Sequence, residues 1–249
     1  LARERVPWVI IGKGSNLLVA DAGYRGAVIT LGSEFSRFVV GEDGCTITVG
    51  AGAILARLVN EALSRELTGL EFAVGIPGTV GGAISMNAGS RTEWIGSLVR
   101  DVVTYKPGEG IRHYSGEQIA WGYRLCGLPH DEIVLEATLE LGQATKDDIR
   151  ARMERALTRR RRTQPLGVPS CGSVFKNPPD RAVGAMIEEC GLKGFCQGGA
   201  EVSSVHANFI VNKGAATAAD VEAVIRHVHA KVRETYGVEL QPEVKFLGF

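Results

Sequence analysis

The chain has 249 residues, 45% hydrophobic and 22% charged, which is globular composition with room for one large domain or two to three small ones. Lys+Arg and Asp+Glu balance at 28 each, which argues against a nucleic-acid binder that works by neutralising phosphates. No apolar run is long enough to span a bilayer, so no membrane partner is expected. The cysteines (Cys45, Cys126, Cys171, Cys190, Cys196) are odd in number and lack C-x-x-C spacing, so they read as free thiols of a cytoplasmic protein, with no metal site.

The chain opens at Leu1 rather than Met and soon meets a strand, so further sequence is expected ahead of it. Apolar runs at 8–11, 17–19, 27–31, 38–40 and 46–49 predict short strands. Ile54, Leu55, Leu58, Val59, Ala62 and Leu63 form one stripe and predict a helix over 53–67. A glycine-rich loop follows at 75–89, then strands at 98–105 and 133–141. Thr145-Lys146-Asp147-Asp148 resembles a capping box and opens a charged helix through Arg162, stopped by Gln164-Pro165. Its four consecutive arginines, Arg159 to Arg162, read as a solvated helix end favoured by the dipole. Beyond Leu166 come small loops, a helix over 181–190, a strand over 207–212, and a helix begun by Thr217–Asp220 and ended by Gly237. Strands with few helices between them predict an α+β architecture.

The 75–89 segment holds Gly75, Gly78, Gly81, Gly82 and Gly89 with Pro77 and almost no charge. Such backbone costs entropy to order and can come close to a phosphate or a flat ring; the alternative is a plain turn. Gly12-Lys13-Gly14-Ser15-Asn16 is a second candidate cradle, without the spacing of a P-loop or a Rossmann turn. Together the two suggest one extended ligand containing a pyrophosphate. Arg124, after Tyr123, is either a stacked structural residue or a permanent cation for a carboxylate or enolate. The stretch from Ser170 to Pro179 could hold one hydroxyl rigidly for proton transfer, or be an ordinary turn. No histidine stands beside it in sequence, which disfavours an activated serine nucleophile. Glu243 and His206 have bland readings as a surface carboxylate and a core imidazole.

Six segments in order resemble the UDP-N-acetylenolpyruvoylglucosamine reductase family of peptidoglycan precursor synthesis. They are Gly12–Asn16 with Leu17-Leu18-Val19, Gly75–Gly89, Gly122-Tyr123-Arg124, Cys171–Pro178, Ser203–Asn212 and Pro242-Glu243-Val244. The short Tyr123–Ile133 segment is similar to the family branch with a compact linker. The resemblance implies a two-subdomain FAD-binding fold of the vanillyl-alcohol-oxidase type followed by an α+β substrate-binding domain. The expected spans are 1–31 and 32–144 for the flavin subdomains, the first incomplete, and 145–249 for a linker helix and substrate domain.

It further implies FAD and NADPH as cofactors and UDP-N-acetylglucosamine enolpyruvate as substrate, with hydride delivered to C3 and a proton to C2. Ser173 matches the proton donor. Arg124 and Glu243 match the pair that stabilises the enolate-like charge. Gly12, Lys13, Gly14, Ser15, Asn16, Gly75, Pro77, Gly78, Thr79, Gly81, Gly82, Ala83, Met86, Asn87, Ala88 and Ile133 match cofactor positions. Tyr123, Lys176 and Asn177 match substrate positions. The chain departs from the family at Cys126, where a serine is usual; a thiol is a weak donor. Members also carry a preceding segment with a Gly-Gly turn. Two rivals stay open: an FAD oxidase of the same fold acting on a small alcohol, and a non-catalytic UDP-sugar binding module.

Overall fold

The computed structural model describes Leu1 and residues 3–249. Its contacts define two units, one of Leu1–Gly14 with Gly26–Thr158, the other of Ser15–Arg25 with Arg159–Phe249.

In the first unit, strands Phe38–Val40, Thr46–Gly50, Ile133–Glu140, Val99–Lys106 and Gly110–Ser115 form an antiparallel sheet in that spatial order. Alternate side chains such as Ile47, Val49, Ala137, Leu139 and Val102 turn into the core, as the period of a pleated strand requires. Helix α1, Leu55–Ser64, buries Leu55, Leu58, Val59 and Ala62 in the same core. It ends before the expected Leu67, because Glu66 takes a φ of 60° and Leu67-Thr68 pairs with Gly142-Gln143. The Gly110–Ser115 strand was not expected; Arg112 and His113 interrupt its apolar alternation. Trp8–Ile10 and Ala27–Ile29 form a separate parallel pair.

The glycine-rich stretch, expected as a loop, contains a short helix, α2, Val80–Ser85. Val80, Ala83 and Ile84 are buried one turn apart, and the Thr79 hydroxyl accepts from Gly82 N–H at 3.3 Å. Gly81 does not break this helix because its missing side chain is what the packing needs. A Cβ there would lie 2.9 Å from Ala51 Cβ.

Helix α3, Lys146–Thr163, has the expected span, and Arg152 binds Thr68 Oγ1 at 3.0 Å and pairs with Glu71 at 3.7 Å.

The second unit was expected to hold two helices and one strand. It holds an antiparallel sheet in the order Ser170–Ser173, Phe209–Asn212, Ala200–Val202 and Cys196–Gln197. Helices α4, Val183–Glu189, and α5, Ala218–Tyr236, share its core through Val183, Met186, Ile187, Val224, Ile225 and Val228. Leu17–Val19 joins this unit by pairing in parallel with Lys245–Leu247. Asp21 fixes the same segment at the start of α5, its carboxylate accepting Ala218 N–H at 2.7 Å and Ala219 N–H at 3.0 Å. Among the described residues no helix is long and apolar enough to cross a membrane.

Candidate active site

In the first unit the two glycine loops adjoin. Gly12 lies so close to Thr79 that a Cβ on it would overlap Thr79 Oγ1. Gly14, at φ 68°, leaves open space where a Cβ would stand. Gly75 and Gly78 also take positive φ, 73° and 130°. Leu55 N–H donates to Gly78 carbonyl at 3.1 Å, and Gly81 N–H to Ala51 carbonyl at 2.8 Å, so the second loop is seated on the start of α1 and on the residue that follows the Thr46–Gly50 strand. Ala83 is buried, Met86 ends α2, and Ala88 N–H returns to Ala83 carbonyl at 2.8 Å. Lys13 and Pro77 are exposed, and Ile133 starts its strand opposite Tyr105. Bare backbone from two adjacent loops suits an elongated ligand with a diphosphate, a chemistry that FAD has.

The same unit carries Tyr123 and Arg124 as the two residues of a turn between Trp121-Gly122 and Leu125-Cys126. Arg124 occupies the second position with φ 53°, where glycine or asparagine is usual. Its Nη1 donates to Gly89 carbonyl at 2.6 Å, and its guanidinium lies 5.5 Å from the centre of the Tyr123 ring. Arg91 approaches that ring at 5.2 Å. Asn87, expected as a cofactor residue, is buried; its amide accepts from Gly96 N–H at 2.9 Å and donates to Gly122 carbonyl at 2.7 Å. Cys126 is buried beside this turn, and burial pushes its thiol above the usual range.

In the second unit Ser173 ends a bulged strand opposite Phe209 and is half-buried. The next residue, Val174, accepts Glu243 N–H at 2.7 Å, which seats the Glu243 segment on the Ser173 segment. Glu243 is 9% exposed. Asn16 Nδ2 donates to Glu243 carbonyl at 3.0 Å, and Asn16 carbonyl accepts Lys245 N–H at 3.0 Å. Ser15 carbonyl lies 3.8 Å from where a Cβ on Gly172 would stand. The expected cradle Gly12–Asn16 is therefore divided, with Ser15 and Asn16 beside the Ser173 and Glu243 segments. Lys176 N–H donates to Gln241 carbonyl at 2.9 Å, and Asn177 Oδ1 accepts Val183 N–H at 2.9 Å in the first turn of α4.

Asn208, not expected to have a part near the site, clamps the segment that follows Ser173. Its side chain binds both backbone groups of Phe175, and its own N–H donates to His206 Nδ1 at 3.2 Å. Its signal was the small polar run before the Phe209–Asn212 strand. Burial holds His206 below the usual imidazole range and Cys171 above the usual thiol range. Among the described residues no group of three His, Cys, Asp or Glu is placed to hold a metal ion.

The two units and the comparisons with known proteins define a two-domain flavoprotein. Residues 1–106 match the family model described as an FAD binding domain, and residues 164–247 match the C-terminal domain of UDP-N-acetylenolpyruvoylglucosamine reductase. The reductase of that name from Heliobacterium modesticaldum is 47% identical over 249 residues, covering 99% of this chain and 79% of that protein. The one from Caldanaerobacter subterraneus subsp. tengcongensis is 44% identical, covering 100% and 82%. The solved UDP-N-acetylenolpyruvylglucosamine reductase (MurB) of Thermus caldophilus superposes with a TM-score of 0.86 at 38% identity, covering 98% of this chain and 86% of that one. The chain belongs to the UDP-N-acetylenolpyruvoylglucosamine reductase family.

Proposed function

We propose that this chain reduces UDP-N-acetylglucosamine enolpyruvate to UDP-N-acetylmuramate with NADPH as reductant and FAD as bound cofactor. Family membership supports the activity, and the model match over residues 1–106 supports the cofactor. The observation that carries the site assignment is the 2.7 Å bond from Glu243 N–H to Val174 carbonyl, which brings the proposed carboxylate segment to the proposed proton donor.

Gly12, Lys13, Gly14, Ser15, Asn16, Gly75, Pro77, Gly78, Thr79, Gly81, Gly82, Ala83, Met86, Ala88 and Ile133 are the residues proposed to hold FAD. Once bound, FAD supplies the hydride-transfer chemistry linking NADPH to the enol ether. The net change is NADPH plus a proton consumed, with one hydride at substrate C3 and one proton at C2.

Charge then develops from C2 into the substrate carboxylate, and Arg124 supplies a cation that never loses its proton. Its guanidinium is preorganised by Gly89 and the Tyr123 ring, so little reorganisation is needed as the charge forms. Glu243 assists by hydrogen bonding as the acid, because a bare carboxylate would repel the same charge. Ser173 gives its hydroxyl proton to C2. A serine is a weak acid, but it serves when held against a strongly basic carbon and reprotonated by water. Tyr123, Lys176 and Asn177 position the substrate.

The test is Ser173→Ala, assayed as two half-reactions. NADPH should still reduce the flavin, while its reoxidation by substrate should fall on the order of 10²–10⁴-fold. Unchanged substrate turnover would remove Ser173 from its role.

A further inference from the structure

Asn87 is 1% exposed and takes a φ of 42°, a left-handed backbone that asparagine tolerates better than most side chains. Both polar atoms of its amide bind protein. Oδ1 accepts Gly96 N–H at 2.9 Å and Nδ2 donates to Gly122 carbonyl at 2.7 Å. One partner is a donor and the other an acceptor, so only one orientation of the amide satisfies both.

Gly122 directly precedes the Tyr123-Arg124 turn, whose short ladder has the pairs Gly122–Leu125 and Trp121–Cys126 and the Gly127 N–H bond to Ala120 carbonyl at 2.8 Å. A ribbon this short does not hold its own place. Trp121 Nε1–H donates to Gly116 carbonyl at 3.0 Å, and the tip of the ribbon is held by the 87–96 segment. Asn87 grips the start of the turn, and Gly89, two residues on, accepts the Arg124 guanidinium at 2.6 Å. The 87–96 segment is itself closed by the Gly89–Trp94 bridge and by Ile95 N–H on Ala88 carbonyl at 2.9 Å. Gly96, which Asn87 holds, lies directly against the Trp121 indole; a Cβ there would overlap the ring. Asn87 therefore ties the backbone on both sides of the Trp121 contact.

We infer that Asn87 is a positioning residue for Arg124. It sets where the guanidinium stands during substrate reduction, both polar atoms of its amide being committed to protein partners. This rests on the reading of Arg124 as the charge-stabilising cation.

Asn87→Asp keeps the acceptor for Gly96 N–H and a tolerance of the left-handed backbone, but turns a second acceptor toward Gly122 carbonyl. Asn87→Gly relieves the backbone fully and removes both bonds without adding charge. In FAD-loaded protein, both variants should keep the flavin and its reduction by NADPH within about twofold. Reoxidation by substrate should fall on the order of 10²-fold, the scale of a displacement near 1 Å. Amide hydrogen exchange should quicken over 121–126 and not over the central sheet. In an Arg124→Lys background, either Asn87 change should cost less than about threefold more, because the two residues act as one unit.

Additive losses would overturn the inference, as would unchanged exchange over 121–126. Release of flavin by both variants would also overturn it, since Asn87 would then serve the cofactor or the fold. If Arg124→Lys alone spares substrate reduction, the reading of Arg124 fails, and the inference with it. The exchange pattern then still reports whether Asn87 ties the turn.

Discussion

Asn208 grips the backbone of Phe175 on both sides, its Oδ1 accepting the N–H at 3.0 Å and its Nδ2 donating to the carbonyl at 2.8 Å. A side chain thus stands where the Phe209–Asn212 strand would otherwise continue its ladder. The bulged Ser170–Ser173 strand is held in this way just beyond Ser173, where Val174 N–H also donates to Asn208 carbonyl at 2.9 Å. Asn208→Ala leaves two buried backbone groups unpaired. It should cost about 2–4 kcal/mol of stability in urea unfolding and slow substrate reduction more than flavin reduction. Stability within about 0.5 kcal/mol of the parent chain would show that the clamp contributes nothing.

Gly12→Ala places a methyl group against Thr79 Oγ1, which caps α2 through Gly82 N–H. Thr79 must leave its cap, which costs about 1 kcal/mol, and the two glycine loops must part. FAD affinity, measured by quenching of flavin fluorescence, should fall about tenfold. Equal affinity would mean that the close approach of the loops plays no part in holding the cofactor.

Glu132 has a side chain 1% exposed, yet it accepts from Thr104 Oγ1 at 2.5 Å and from Tyr114 hydroxyl at 2.9 Å. The Arg112 guanidinium lies 3.7 Å away. Glu132→Ala orphans these donors and should lower stability by about 3 kcal/mol, with Glu132→Gln losing less. Neither should alter the ratio of the two half-reaction rates.

Burial favours neutral His206 in the folded chain, and Asn208 N–H on its Nδ1 fixes the same form. The unfolded imidazole binds its proton more readily, so this contribution is whole above pH of about 6.5 and is lost as pH falls toward the depressed folded value. Unfolding free energy should therefore decline on acidification through that window. A His206→Gln variant should decline less steeply; identical slopes would contradict the assignment.

Sequence pattern was a good guide where structure is local. The capping residues Thr217 and Asp220 and the valine stripe announce α5, and the stripe from Leu55 to Ala62 announces α1. It failed where a distant contact decides. Gly81 and Gly82 disfavour a helix on propensity alone, and only the approach to Ala51 explains why α2 forms. The Ser170–Ser173 strand has no apolar alternation to announce it. The parallel pairing of Leu17–Val19 with Lys245–Leu247 joins opposite ends of the chain without a local signal. Arg124, Ser173 and Glu243 were legible only as pieces of a family pattern. Considered singly, each had a structural reading at least as good.

The most direct test is an anaerobic visible-absorbance titration of the FAD-loaded protein, adding NADPH first and UDP-N-acetylglucosamine enolpyruvate second. The proposed activity predicts bleaching of the flavin by NADPH and full recovery of the oxidised spectrum on adding substrate. A flavin that bleaches and stays bleached with substrate present would contradict it.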